Sequence, residues 1–126
     1  MAVAAVIAGC LGGDEEAPPA TGAPRALAEV VQRLERATAA GDFETVCNDL
    51  FTAAARARAG GEDCVRLTSS AAAGVARPRI DVRAIELQGA TARVRVQSRA
   101  RGQAVVSDVL LLRREGGRWR VEALGG

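Results

Sequence analysis

The hydrophobic period of this chain changes at Pro78, and that change restricts the fold more than any other feature of the sequence. Before it, apolar residues recur every three or four positions; after it, they alternate. A helical half followed by a strand half points to an α+β protein, with helices packed on one face of an antiparallel sheet of about four strands.

In the first half, Pro24 suits a first helical turn, where its missing N–H costs nothing. Leu27, Val30, Val31, Leu34 and Ala37 follow at one-face spacing, with Arg33, Glu35 and Arg36 opposite. Gly41 sits where a helix stops. Asp42 is placed to cap a second helix, whose apolar face is Phe43, Val46, Cys47, Leu50 and Phe51. Thr52 is placed to cap a short third piece, Ala53 to Ala59, ended by Gly60-Gly61. A fourth, about Asp63 to Ala73, carries Cys64, Leu67 and Ala71 on one side.

In the second half, Ile85, Leu87, Ala92, Val94 and Val96 alternate with Glu86, Arg93, Arg95 and Gln97 around a Gly89-Ala90 turn. A two-residue turn there pairs Leu87 with Ala92 and Ile85 with Val94, with the Arg residues on the other face. Ile80 and Val82 have the wrong parity for that face, so either a bulge lies near Ala84 or the strand changes partner. A third strand, about Ala104 to Arg113, joins a fourth, about Arg118 to Ala123, at Glu115-Gly116-Gly117. Either pairing at that turn puts Val106, Asp108, Leu110, Leu112, Trp119 and Val121 on one face. Val105, Val109 and Leu111 lie on the other, the pattern of a central or doubly covered strand.

The N-terminal stretch carries an address. An apolar run from Met1 ends in Val6-Ile7-Ala8-Gly9-Cys10 and switches at once to Leu11-Gly12-Gly13-Asp14-Glu15-Glu16. This resembles the lipobox of bacterial lipoproteins, which implies a lipid on the Cys10 sulfur and cleavage just before it. The other readings are a disordered Ala-rich terminus, or a buried helix with a chance cysteine. The apolar run is short and lacks the basic start of a secretory signal, so on the lipoprotein reading residues 1–9 are a truncated signal peptide, Met1 is an internal methionine and the true start lies upstream. Residues 10–23 read as the lipidated cysteine and an extended, disordered tether containing Pro18-Pro19. Residues 24–126 form one small domain. The location expected is the outer face of the cytoplasmic membrane, in the bacterial cell envelope.

Export sets the expectation for the remaining thiols. Of three cysteines, one is lipidated and Cys47 and Cys64 are left to pair as a disulfide in an oxidising compartment. Two buried free thiols are the alternative; a redox-active pair fits less well, because CxxC spacing is missing.

Composition removes several activities. The chain has no His, hence neither the commonest general base nor the commonest metal ligand. No Ser-His-Asp or Cys-His arrangement can be built, the two remaining cysteines match no zinc spacing, and neither a metal nor a cofactor is expected. All 17 basic residues are Arg, and three of the 15 acids, Asp14, Glu15 and Glu16, precede Arg25, so the chain from Arg25 on holds 17 Arg against 12 acids. That excess favours anionic surfaces. With two Phe, one Trp, no Tyr and no basic run, nucleic acid is not an expected partner.

The segments Ala39-Ala40-Gly41-Asp42-Phe43-Glu44, Val46-Cys47-Asn48-Asp49-Leu50 and Gly117-Arg118-Trp119-Arg120-Val121, set in a helices-then-meander order, are similar to those of actinobacterial lipoproteins with a nuclear-transport-factor-2-like domain. The resemblance spans about Pro24 to Leu124. It implies a curved sheet wrapped over helices, with function inside the cone, and a homodimer through the outer sheet face (Val105, Val109, Leu111). Enzymes of the superfamily place an Asp–His pair, or Tyr and Asp residues, in the cone; this chain has no His and no Tyr. The expectation is therefore a membrane-anchored, non-enzymatic binding or interaction module; Asp108 is either a lone buried acid satisfied by backbone or an Arg near the strand end, or the polar anchor of a candidate pocket walled by Trp119, Phe43 and Phe51. The alternative is a small polyketide-cyclase-like enzyme using Asp108 as acid or base.

Overall fold

A computed structural model describes residues 22–125. The lipobox, Cys10 and the tether lie outside the described residues. Among the described residues four helices precede four strands: α1 (Gly22–Ala40), α2 (Phe43–Thr45, continued as a π-helical turn Val46–Leu50), α3 (Ala53–Arg58), α4 (Cys64–Ala71), β1 (Arg79–Gln88), β2 (Thr91–Arg99), β3 (Val106–Glu115) and β4 (Arg118–Gly125). The strands form one antiparallel meander in the order β1-β2-β3-β4, and the helices cover one face of it. No helix among the described residues is long and apolar enough to cross a membrane.

The alternation after Pro78 sets the register. Leu87 faces Ala92 and Ile85 faces Val94, so one sheet face carries the apolar set. Ile80 and Val82 rejoin that face because the register shifts between Val82 and Ala84; Arg83 is the bulged residue. Ala92, Val94, Val96, Leu110, Leu112, Trp119 and Val121 are buried against Leu27, Val30 and Val31 of α1 and Phe43, Val46 and Leu50 of α2. The Glu35 carboxylate also fixes α1 to the sheet: it accepts the Ile80 N–H at 2.6 Å, with Arg79 Nε 3.7 Å away.

Several elements differ from the sequence reading. The second helix is α-helical only to Thr45, with the Asp42 carboxylate accepting the Thr45 N–H. Hydrogen bonding to the Thr45 hydroxyl and N–H favours the ionised cap and holds the Asp42 carboxyl below its ordinary value. The chain then widens into the π-turn, and Phe51 leaves it in extended backbone. The fourth helix starts at Cys64, after a 3-10 turn at Gly61–Asp63. Its Leu67 is 43% exposed rather than packed in the core, because it folds back over Gly60. A Cβ on Gly60 would lie 2.6 Å from Leu67 Cδ1, and its φ of +120° is a glycine conformation.

β3 begins at Val106, two residues later than expected, so Val105 lies before the strand and is 54% exposed. β4 stops pairing at Val109↔Gly125, and Val106, beyond that end, is half exposed in spite of its inward parity. Val109 and Leu111 are partly covered; the outer face of β3 has no second layer among the described residues.

Cys47 and Cys64 form a disulfide, with Cα atoms 6.1 Å apart and a sequence separation of 17. It holds an element with little other purchase, since Cys64 is the sole buried residue of α4. In the chain-entropy picture a loop of this length is worth about 3 kcal/mol. Cys47→Ala is therefore expected to lower unfolding free energy by about 2–5 kcal/mol in urea titrations under non-reducing conditions. Unchanged stability would show that α4 docks without its covalent link.

Candidate functional site

The helices do not close fully over β4. A cleft of about 630 Å³ remains, walled by α1 (Leu34, Thr38), α2 (Phe43, Val46), α3 (Ala55, Arg58), α4 (Thr68, Ala71) and the end of β4 (Val121 to Leu124). Its position follows from how α2 ends. Phe51 makes an isolated parallel bridge with Val121, and the Thr52 N–H donates to the Val121 carbonyl at 3.0 Å. The α2–α3 junction is thus laid along the free edge of β4. α4, attached through Cys64, forms the opposite wall.

Polar groups are sparse and mostly spoken for. Thr52, 1% exposed, accepts the Ala55 N–H at 3.0 Å as the cap of α3. The same hydroxyl donates to Glu122 Oε1 at 2.8 Å. Glu122 reaches it because the β3–β4 register shifts between Leu111, paired with Ala123, and Leu112, paired with Val121. That leaves Glu122 as the extra residue of a bulge, a device that re-aims a side chain. Arg58 Nη2 donates to the Glu122 carbonyl oxygen and lies 3.6 Å from Oε2. Arg113 Nε is 3.8 Å from Oε1. The Thr68 hydroxyl donates to the Cys64 carbonyl. Arg58 and Glu122 are the charged residues of the lining.

Of the four residues expected to wall a pocket, Phe43 and Phe51 line the cleft, while Asp108 and Trp119 do not. Asp108 is half-buried opposite Val96, on a stretch of β3 that β4 does not reach. Its parity is inward, but its carboxylate has no hydrogen-bond or ion-pair partner among the described residues. Trp119 is buried opposite Arg114, whose guanidinium sits 5.8 Å from the indole centroid. Arg58, Glu122, Leu34 and Thr38 were not expected. The signal for Glu122 was present: Leu124 is out of phase with Trp119 and Val121, as Ile80 and Val82 are with Ile85 and Leu87. Among the described residues no three His, Cys, Asp or Glu side chains gather to hold a metal ion.

Neither a protein-family model nor a curated protein sequence matches the chain. Solved structures do. An NTF-2 like protein of unknown function from Silicibacter pomeroyi superposes with a TM-score of 0.60 at 19% identity, over 79% of this chain and 90% of that one. A de novo designed NTF2 fold protein gives 0.57 at 13%, over 82% and 87%. A domain from Xanthomonas campestris, assigned as a calcium/calmodulin dependent protein kinase II association domain, gives 0.58 at 16%, over 90% and 92%. The fold is NTF2-like. At these identities the likeness concerns architecture alone, and the NTF2-like frame places this cleft between helices and sheet without naming what fills it.

Proposed function

We propose that this chain is a membrane-anchored surface lipoprotein whose NTF2-like domain is a non-enzymatic binding module, taking a small apolar molecule into the cleft beside β4. The observation that carries the reading is the make-up of that cleft: about 630 Å³, with Leu, Phe, Val and Ala walls and one ion pair at the side. Small-molecule sites have this size and this ratio of apolar wall to placed polar groups. Acid–base chemistry needs convergent titratable groups within reach of a reacting atom. Here Glu122 is held by Thr52 and Arg58, and Asp108, on which the cyclase-like alternative depends, lies off the cleft.

The anchoring half of the proposal rests on Ile7-Ala8-Gly9-Cys10 and the acidic, Pro-containing stretch that follows. A disulfide in the domain suits an oxidising compartment. The outer strand face, with Val109 and Leu111 partly covered and Val105 exposed, remains the surface proposed for a second copy.

Two measurements check the two halves. The neutral fluorophore 1-N-phenylnaphthylamine should brighten on adding the folded domain, and Ala72→Trp, which fills the cleft from the α4 wall, should abolish the signal without unfolding the protein. No uptake by the wild type, or equal uptake by the filled variant, would reject the cleft. Separately, Cys10→Ala in the full-length gene should move the protein from the membrane to the soluble fraction; continued membrane association would reject lipid anchoring.

A further inference from the structure

The cleft is not electrically symmetric, and the geometry points to a ligand of one charge type: an amphipathic anion, a carboxylate on an apolar body, with its head at Arg58. This rests on the cleft being a binding site, as proposed above.

The two charged groups of the lining differ in how fully they are used. Glu122 is matched in charge on both oxygens: Oε1 accepts the Thr52 hydroxyl at 2.8 Å and has Arg113 Nε at 3.8 Å, and Oε2 faces Arg58 at 3.6 Å. Two guanidinium groups thus stand against one carboxylate, so a cationic ligand would find no unshared negative charge. Arg58 is in the opposite condition. It engages Glu122 through Nη2 alone; its Nε and Nη1 have no partner among the described residues. Its side chain is 57% exposed. A guanidinium presents five donors in a planar fork that matches a carboxylate bidentately. The charged donors still free at the cleft therefore belong to a group suited to an anion.

The body of the ligand is specified by the remaining wall. Leu34, Phe43, Phe51 and Leu110 offer apolar contact, while Thr68 has spent its hydroxyl on the Cys64 carbonyl. Leu124 also lines the cleft, and at 65% it is the most exposed large apolar side chain among the described residues. An apolar chain lying in the cleft would cover it, removing from water a surface that the fold leaves open.

The test is calorimetric titration of the folded domain with three probes of equal chain length, decanoate, decanol and decylamine, at low ionic strength so that an exposed charge is not screened. Decanoate should bind most tightly and decylamine least. Arg58→Gln should weaken decanoate about tenfold or more, the scale of a charge-assisted hydrogen bond, and leave decanol unchanged. Glu122→Gln keeps an acceptor for Thr52 and the backbone carbonyl for Arg58 but removes the competing charge, so it should tighten decanoate severalfold, a gain that mere damage to the fold would not produce. Equal binding of decanoate and decanol with no effect of Arg58→Gln would overturn the anion assignment and leave the cleft reading standing. Failure of all three probes to bind would take down the cleft reading itself.

Discussion

The contact on which this architecture depends is the seam between the α2–α3 junction and the free edge of β4. An edge strand presents unpaired N–H and C=O groups that must be met by solvent or by another segment. Here the Val121 carbonyl takes the Thr52 N–H, and the Thr52 hydroxyl serves the next helix and the Glu122 carboxylate at once. Arg120 strengthens the seam from the strand side, donating to the carbonyls of Asn48 and Asp49 at 3.1 Å each, groups that a helix end leaves without internal partners. A short polar segment thus joins the helical layer to the sheet, and the cleft is the space beside that join.

Much of this frame is legible in the amino acids, for physical reasons that also explain the rest. Side-chain parity is strict in a strand, so Ile80 and Val82 standing out of phase with Ile85 and Leu87 require either a bulge near Ala84 or a change of partner, and the structure has the bulge, at Arg83; the Gly89-Ala90 turn fixes which residues face one another. The same logic was available at Leu124, but a single out-of-phase residue at the end of a strand also reads as simple fraying, and the Glu122 bulge passed unseen. With it went Glu122 and Arg58. The π-turn is hidden for a different reason: Phe43, Val46, Cys47, Leu50 and Phe51 fit a 3.6-residue period, and one widened turn changes the exit of Phe51 without disturbing that pattern.

Asp108 shows the limit of parity. Its face was read correctly, since it lies opposite the buried Val96, yet face alone does not say how far along a strand the covering layer extends. β4 ends its pairing at Val109, and the cleft opens on the far side of Leu110, where α2, α3 and α4 converge. The NTF2-like frame supplies a sheet and a gap; the side chains at the gap are a carboxylate paired with two guanidinium groups and a guanidinium, Arg58, engaged through Nη2 alone.

The central claim is that the Thr52–Val121 seam is a structural bond of the whole domain rather than a loop resting on an edge. Native-state hydrogen exchange of the Thr52 amide tests it most directly. The account predicts that this amide exchanges only through global unfolding, with the same free energy as amides of the buried residues of β2 such as Val94. Exchange of Thr52 through a low-energy local opening, with β2 still protected, would contradict it.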